Sequence, residues 1–311
     1  MHTVLGANGV IAQELSKALV SSSTRIRQVS RNPRRVNQTD ETMVCDLLDA
    51  QATANAVSGS EVVYLVAGLK YDASVWQEQW PQVMRNVINA CKQHDARLVF
   101  FDNIYAYGRV DGLMTEETPF NPISKKGEVR ATIATMLLDE IRSGKLRAMI
   151  VRAADFYGPS AVQSFPHATV FERLKVGKAP QWIGNPNTVH TFTFTPDAGH
   201  AVAVLGRSSE AYGQTWHLPT TKELLTGADF VRLACEIATQ PYKLQEALRW
   251  LLEHVGLFVP VQRENAVMMY QFEHDYRFDS SKIESAFRLQ ATPYRLGISE
   301  SLQSGTQNQV Q

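Results

Sequence analysis

Residues 4–12 read Val-Leu-Gly-Ala-Asn-Gly-Val-Ile-Ala and lie between the first predicted strand and the first predicted helix. Gly6 permits a tight strand-to-helix turn, Gly9 allows the backbone to approach a ligand, and Ala12 is small enough for the helix to pack close to a sheet. The free N–H groups at the start of that helix then face a pyrophosphate. This pattern, directly after a first strand, indicates a nucleotide-binding turn, and the alternative is a plain structural turn.

Strand-forming segments alternate with helical segments through the first half of the chain. Predicted strands near Ile26, Glu61, Arg97 and Met149 are separated by helical patterns, including a long helix over 75–94. Such alternation indicates βαβ units and a buried parallel sheet. The predicted fold is therefore α/β, a doubly wound parallel sheet of the Rossmann type with a smaller mixed α/β C-terminal domain.

The composition changes after residue 155, which marks the predicted domain boundary. Gly, Pro and aromatic residues are frequent in 156–195, a composition typical of loops that line a pocket. We expect residues 1–155 to form a nucleotide-binding domain and residues 156–311 to form mainly a substrate-binding domain.

Two further expectations concern the second half. Helical patterns return at 196–206, 222–239 and 242–256. The Ser- and Gln-rich tail 299–311 carries no charge after Glu300, and we expect it to be poorly ordered.

The charge balance and the cysteines exclude several classes of function. Lys+Arg and Asp+Glu each total 31 in 311 residues, so no overall positive charge favours nucleic acid as a partner. The three cysteines, Cys45, Cys91 and Cys235, are far apart, and no Cys/His spacing predicts a metal site. No signal segment and no long apolar run is visible, so we expect a cytoplasmic protein without a membrane span.

The stretch after the second predicted strand bears on which dinucleotide is bound. An acidic residue that contacts the ribose is usual there, but no acid precedes Asp40. Arg31 can stack on the adenine and pair with a 2′-phosphate, with Ser30 and Arg34 or Arg35 as candidates to help it. This favours NADP(H) over NAD(H), with a solvated arginine loop as the alternative. Asp46 could accept a hydrogen bond from the adenine, with Leu47 packing on its ring.

Motifs spread over the chain resemble the extended short-chain dehydrogenase/reductase family of NAD(P)-dependent epimerases and dehydratases. Besides the glycine turn, they are Cys-Asp-Leu at 45–47, Val-Tyr-Leu-Val-Ala-Gly at 63–68, Asn-Ile-Tyr-Ala-Tyr-Gly at 103–108, Val-Arg-Ala-Ala-Asp-Phe-Tyr-Gly-Pro at 151–159, Phe-Thr-Phe-Thr-Pro-Asp-Ala at 192–198 and Phe-Asp-Ser-Ser-Lys-Ile at 278–283. The resemblance covers almost the whole length and is specific for the fold, but it does not identify a substrate.

The resemblance implies a dinucleotide, a small-molecule substrate and a set of contacts. It places 189–206 against the nucleotide-binding domain, and it allows a homodimer formed through the long helices. The implied cofactor contacts are Gly6, Asn8, Gly9, Val10, Ile11, Arg31, Asp46, Leu47, Ala67 and Gly68.

The family's catalytic pattern is broken in this chain. The family uses Ser or Thr, then Tyr-x-x-x-Lys, in which the Tyr exchanges a proton and the Lys holds the ribose and lowers the pKa of the Tyr. Asn103 stands at the Ser position, Ile123 at the Tyr position and Gly127 at the Lys position. An Asn can donate a hydrogen bond to a carbonyl, but it cannot share a proton as a hydroxyl does.

Four nearby residues are candidates for the missing roles. Lys125 or Lys126 could reach the ribose, and Ser124 could donate to the substrate. The alternatives are that Ser124 caps a helix and that both lysines face solvent. Tyr105 would point to the same side as Asn103 if that segment were extended, although a core aromatic is its alternative.

Two functions remain open from the sequence. The first is an NADP(H)-dependent reductase, epimerase or dehydratase with a non-standard active site. The second is a catalytically silent NADP(H)-binding sensor or scaffold, motivated by the absent Tyr and Lys, since acid–base groups contribute about 10²–10⁴-fold to rates.

Overall fold

The computed structural model describes residues 1–20, 24–247 and 267–304. Its strands are β1 (His2–Leu5), β2 (Ile26–Ser30), β3 (Glu41–Val44), β4 (Val62–Leu65), β5 (Arg97–Asp102), β6 (Leu113–Met114), β7 (Ala148–Arg152), β8 (Asp155–Tyr157), β9 (Gln181–Ile183), β10 (Phe192–Phe194), β11 (Thr215–His217), β12 (Gln245–Ala247) and β13 (Arg277–Phe278).

The α-helices of the same ranges alternate with the strands in the first half. They are α1 (Val10–Val20), α2 (Ala50–Val57), α3 (Ala73–Gln93), α4 (Lys125–Arg142), α5 (Glu172–Lys175), α6 (Thr195–Arg207), α7 (Gly227–Ile237), α8 (Tyr270–Glu273), α9 (Ser281–Phe287) and α10 (Tyr294–Gln303).

A parallel sheet of seven strands is the centre of the part of the chain where strands and helices alternate. Its order is β11-β7-β5-β4-β1-β2-β3, so the predicted doubly wound α/β fold is confirmed. Leu5 at the end of β1 pairs with Val29 of β2 on one side and with Leu65 of β4 on the other. The order of strands reverses at β1 and β4, and ligands bind beside the carboxyl ends of strands at such a point.

The chain divides into two compact units that are not consecutive in sequence. The first holds residues 1–108, 119–153 and 198–218, and the second holds 109–118, 154–197 and the described residues after 218. The chain returns to the first unit because β11 adds to the sheet beside β7, where Thr215 pairs with Ile150. A single boundary at 155 is therefore too simple, and the segment 189–206 is divided between the units.

Apolar strands and two long helices build the core of the first unit. The residues of β4 and β7 are buried throughout, as expected for a sheet that is covered on both faces. Trp80 and Met84 of α3 are 1% and 0% exposed within this core, so Trp80 packs in the core and does not line a pocket.

The second unit has an aromatic core. Tyr157 contacts Phe194, with ring centroids 5.1 Å apart, and Phe192 contacts Phe230 at 4.9 Å. Trp182 is also buried there, 1% exposed. The expectation of loops over 156–195 is wrong in part, because β8, β9 and β10 and a π-helical turn at His167–Phe171 lie in that range.

Two expectations about the C-terminal part need correction. Residues 299–303 are helical and not disordered, because Ile298 and Leu302 place apolar side chains of α10 on the core and Ser301 Oγ donates to the Gly297 carbonyl (2.7 Å). Residues 305–311 lie outside the described residues. The helix expected over 242–256 is wrong at 245–247, which form β12, and its part from 248 onwards also lies outside them.

Candidate functional site

The glycine turn after β1 has no space for a side chain at Gly6. Gly6 has a φ of +100°, and a Cβ there would lie 2.3 Å from Ala67 Cα, far inside van der Waals contact. The N–H groups of Gly6 and Ala7 donate to the Val29 carbonyl (2.9 and 3.0 Å), which fixes the turn on β2. The close packing of this turn on the residue after β4 explains the glycine.

The start of α1 is open to solvent next to this turn. Asn8 and Gly9 are exposed, and the nearest atom to a Cβ at Gly9 would be the Gly6 carbonyl oxygen at 3.6 Å. The side chain of Ile11 is 5% exposed and that of Ala12 is fully buried, so α1 packs on the sheet as the small residue allows. This leaves the backbone N–H groups of the first turn of α1 available to an anion.

Asn8 has a role that the sequence did not reveal. Its φ is +81°, and its side chain bridges to the loop after β2. Asn8 Nδ2 donates to the Asn32 carbonyl (2.7 Å), and Asn8 Oδ1 accepts from the Arg34 N–H (3.0 Å). The glycine turn and the arginine-rich loop are therefore joined by one side chain.

The arginine-rich loop comes directly after β2. Arg31, Arg34 and Arg35 are exposed, and none of them makes an ion pair with the described residues. Ser30 Oγ accepts from the Asn32 N–H (3.2 Å). The acid that ends this loop, Asp40, is 2% exposed and is not available to a ligand. Three cations thus face solvent beside the carboxyl end of β2.

Four other predicted cofactor contacts follow β3 and β4. Asp46 is exposed, and its Oδ1 accepts from the Leu48 N–H (3.0 Å). The Leu47 carbonyl accepts from Asn86 Nδ2 (2.8 Å), so Asn86 of α3 holds this loop. Ala67 and Gly68 follow β4, with Ala67 half-buried and Gly68 exposed. Since β1–β4 are parallel, all predicted cofactor contacts lie at one edge of the sheet.

Asn103 and Tyr105 follow β5 at the same edge. Asn103 Oδ1 accepts from the Tyr105 N–H (3.1 Å), and the Asn103 N–H donates to Asp102 Oδ1 (2.9 Å). The segment is not extended, because Tyr105–Tyr107 form a 3₁₀ turn directly after Asn103 and Ile104. The ring of Tyr105 stacks on Trp76 with centroids 6.3 Å apart at 18°.

The first turn of α4 separates the three candidates on it. Ser124 is the N-cap, and its Oγ accepts from the Gly127 N–H (3.0 Å), so the capping alternative holds. Lys125 is exposed, as the solvent alternative expected. Lys126 does not face solvent, because its side chain is 3% exposed. Its Nζ lies 3.1 Å from the centroid of the Tyr71 ring and 5.9 Å from that of the Trp76 ring.

Close packing surrounds Gly127, which stands where the family has its lysine. A Cβ there would lie 2.5 Å from the Tyr105 carbonyl oxygen and 3.0 Å from Pro122 Cβ. Ile123, at the family's Tyr position, is 50% exposed. The glycine therefore serves the contact between α4 and the 3₁₀ turn.

A buried ionic cluster surrounds Asp102, the residue before Asn103, and no sequence pattern predicted it. Asp102 accepts from Arg130 Nε (2.7 Å) and from Arg152 Nε (3.2 Å), and the three side chains are almost fully buried. Arg152 Nη1 donates to Tyr107 Oη (2.9 Å), which contacts His217 Nε2 (2.8 Å). The partners lie 28 to 110 residues apart, so no local pattern could have identified them.

His190 lies in the second unit and is 2% exposed. Its Nε2 lies 2.9 Å from Asp155 Oδ2, and its ring stacks between Phe272 and Tyr276 with centroids 4.5 Å away on each side. Its ring orientation is therefore fixed by a carboxylate and two aromatic faces.

Within the described ranges, His, Cys, Asp and Glu side chains form no group of three that could hold a metal ion. No helix in that part of the chain has both the length and the apolar character to cross a membrane.

Comparison with solved structures agrees with the fold. A double mutant of DesIV, a dTDP-glucose 4,6-dehydratase from Streptomyces venezuelae with NAD bound, has a TM-score of 0.82 at 16% identity over 99% of this chain and 98% of that chain. UDP-glucuronic acid 4-epimerase from Bacillus cereus in complex with NAD has a TM-score of 0.79 at 16% identity over 98% and 96% of the two chains. Likeness at this identity shows a shared fold.

Sequence comparison adds the family. The 3-diazoavenalumate denitrifying reductase of a Streptomyces species is 27% identical over 225 residues, which are 68% of this chain and 73% of that protein. The profile of the NAD dependent epimerase/dehydratase family matches residues 2–221, well over half of the chain. The chain therefore belongs to the NAD-dependent epimerase/dehydratase family.

Proposed function

We propose that this protein binds NADP(H) and transfers a hydride at a carbonyl or alcohol carbon of a small molecule, as a reductase, an epimerase or a dehydratase. The observation that carries the proposal is the tight turn at Gly6, joined through Asn8 to a loop of three exposed arginines. In folds of this type an acid on the ribose indicates NAD, whereas an arginine accommodates a 2′-phosphate. NAD(H) is the alternative, and the solved relatives with bound NAD support it.

The residues at the carboxyl edge of the sheet fit the parts of such a dinucleotide. The N–H groups of Gly9, Val10 and Ile11 would bind the pyrophosphate at the start of α1. Ser30 and Arg31 would contact the 2′-phosphate. The other contacts implied by the family are Asn8, Asp46, Leu47, Ala67 and Gly68, and the Asn8 side chain also holds the arginine-rich loop.

The substrate side rests on the residues after β5 and at the start of α4. When bound, the nicotinamide supplies or accepts the hydride. Asn103 Nδ2, whose partner oxygen already accepts from the Tyr105 N–H, would donate to the substrate oxygen. Lys126 would hold the nicotinamide ribose, with Ser124 as a second donor, and Tyr105 is the phenol proposed as proton donor. Lys125 is dropped from this set because it points to solvent.

The substrate class follows from the relatives. The solved relatives are enzymes of dTDP-glucose and UDP-glucuronic acid, and the sequence relative is a reductase. We propose a nucleotide sugar or another small carbonyl compound as the substrate.

The second candidate function is a silent NADP(H)-binding sensor or scaffold. The close packing at Gly127 supports it, because a lysine cannot replace this glycine without moving the Tyr105 carbonyl. A sensor would fill the volume over the nicotinamide with apolar side chains such as Ile123, but this side chain is 50% exposed.

The test that separates the two functions uses NADPH carrying deuterium at C4 with a panel of nucleotide sugars, aldehydes and ketones. A reductase transfers deuterium to the product, and mass spectrometry detects it. The same panel with NADP⁺, which can accept a hydride from an alcohol carbon and return it, detects an epimerase or dehydratase as a changed product without net cofactor reduction. If the dinucleotide binds and no compound of a broad panel changes with either NADPH or NADP⁺, the sensor is supported and the enzyme is contradicted.

The roles of the two lysines are tested on the same assay. Lys126→Met should lower turnover by about tenfold or more, since it removes the cation beside the proposed ribose site while keeping the volume. Lys125→Met and the remote, exposed Lys145→Met should stay close to the unmodified protein. Equal losses in all three variants would contradict the assignment of Lys126.

A further inference from the structure

The arginine-rich loop comprises residues 31–40 between β2 and β3. The side chains of Asn8 and Asp40 fix its backbone at two places. The first is Asn8 of the glycine turn, which binds the loop through the Asn32 carbonyl (2.7 Å) and the Arg34 N–H (3.0 Å). These two contacts use both the donor and the acceptor of one amide side chain. The loop backbone is therefore held directly beside the turn that starts α1.

The second fixed place is the C-terminal end of the loop. Asp40 Oδ2 accepts from the N–H groups of Val36 (3.1 Å) and Asn37 (3.0 Å) and from Gln28 Nε2 (2.8 Å). Gln28 Nε2 also donates to Ser16 Oγ of α1 (2.7 Å). A carboxylate that is 2% exposed with several N–H donors forms a stable anchor, so this end of the loop is tied to β2 and α1.

Three like charges lie next to these anchors, since Arg31 precedes the first anchored residue, Arg34 is bound through its own N–H, and Arg35 lies between the two anchors. All three are exposed, and the residues from 36 to 39 carry no acid that could pair with them. Like charges repel each other, and a loop without anchors could move them apart. The anchors oppose that movement, so the three guanidinium groups start from a fixed backbone before any ligand arrives.

We propose that Asn8 and Asp40 are positioning residues that hold these arginines ready for a phosphomonoester on the ribose 2′-oxygen. Selectivity for the phosphorylated dinucleotide then depends on two residues that do not touch the phosphate. The proposal rests on the proposed NADP(H) binding. Asn8 also joins the glycine turn, which would bind the pyrophosphate, to the arginine-rich loop, which would bind the 2′-phosphate. One connected unit would therefore recognise both phosphate groups of the adenosine part of the dinucleotide.

The decisive variant is Asn8→Gly, because glycine keeps the positive φ of residue 8 while it removes both side-chain contacts. The affinities of NADPH, NADH, 2′,5′-ADP and 5′-AMP are measured by calorimetry. We expect the NADPH-to-NADH affinity ratio to fall about tenfold, as two lost hydrogen bonds allow, and 2′,5′-ADP to weaken likewise. The affinities of NADH and 5′-AMP should fall much less than those of NADPH and 2′,5′-ADP. Gln13→Ala, which removes a contact to the Asn8 carbonyl only, is the matched control and should keep the ratio.

The outcomes separate this proposal from the proposed function. Equal weakening of NADPH and NADH in Asn8→Gly would show a structural role in the turn and would overturn the positioning role. An unchanged ratio would also overturn it. An unmodified protein without preference for NADPH would instead contradict the proposed cofactor itself.

A second measurement covers Asp40, whose replacement in a buried position can impair folding. Trypsin cleaves after Arg34 and Arg35 only if this backbone leaves its anchors. We expect Asn8→Gly and Asp40→Asn to be cut at these bonds faster than the unmodified protein, with 2′,5′-ADP protecting the unmodified protein more than 5′-AMP does. Cleavage at equal rates in Asn8→Gly and the unmodified protein would contradict the anchoring, whatever the fate of Asp40→Asn.

Discussion

The arginine-rich loop after β2 and the first turn of α4 lie at the same edge of one sheet, yet they are built in different ways. The loop is held by side chains that bind backbone groups, from Asn8 and Asp40, and it leaves its charges exposed. The turn of α4 is held by contact of Gly127 with the Tyr105 carbonyl, and it buries Lys126 while Lys125 stays exposed. The exposed charges of the loop can bind an anion from solvent, whereas the packed first turn of α4 holds its polar groups in fixed positions.

The two regions also differ in how they relate to the proposed function. The glycine turn and the residues after β2, β3 and β4 would hold the dinucleotide. At the proposed substrate side, the residues after β5 and at the start of α4 present an amide, a helix cap and a cation over an aromatic ring. Cofactor binding and chemistry can therefore be broken separately.

The largest effect is expected from Gly6→Ala. The variant combines an unfavourable φ with a contact to Ala67 Cα that only a backbone shift relieves. We therefore expect the free energy of unfolding to fall by more than about 3 kcal/mol, and we expect NADPH binding to be lost. Gly59→Ala is the matched control, since Gly59 has a φ of +72° but nothing within 4 Å of its Cβ. It should cost about 1–2 kcal/mol by chemical denaturation and keep binding. Similar losses in both would contradict the packing argument.

An intermediate effect is expected at the start of α4. Gly127→Ala should cost about 1–3 kcal/mol, because its Cβ meets the Tyr105 carbonyl oxygen, although alanine favours the helix. Ile123→Tyr should change stability by less than about 0.5 kcal/mol, since this side chain is 50% exposed. Thermal denaturation checks both. A stable Gly127→Lys variant would show that the turn can hold the family's lysine after all.

The smallest effect concerns His2, at the opposite end of β1 from the glycine turn. Burial lowers the pKa of His2 to about 4, and its Nδ1 lies 2.9 Å from Tyr64 Oη. The folded protein binds this proton less readily than the unfolded chain, so stability should fall as the pH drops from about 6.5 to about 4. His2→Gln should make this decrease shallower without changing NADPH affinity. The free energy of unfolding of both proteins is measured by urea denaturation across that pH range. If it fell equally with pH in His2→Gln and in the unmodified protein, the assignment of this effect to His2 would be contradicted.

Local patterns predicted much of the fold and the cofactor side. The alternation of strands and helices, the turn at Gly6 and the cap at Ser124 each depend on neighbours within a few residues, and the structure agrees with them. The helical end of α10 was missed because composition outweighed the apolar pair at 298 and 302.

Contacts between distant residues account for what the sequence could not predict. The burial of Lys126 depends on Tyr71, 55 positions earlier by residue number, and the cluster around Asp102 joins β5, α4 and β7. The anchors of the arginine-rich loop require the turn of residue 8 to lie beside residues 32 and 34. Hydrophobic periodicity in the sequence does not predict these long-range contacts, because they depend on how the helices and strands pack.

Calorimetric titration of the unmodified chain with NADPH and with NADH tests the central claim most directly. We expect heat from both dinucleotides at a one-to-one ratio, with NADPH bound about tenfold more tightly or better, because an arginine pairs with its additional phosphate. A chain that binds neither dinucleotide would contradict the account.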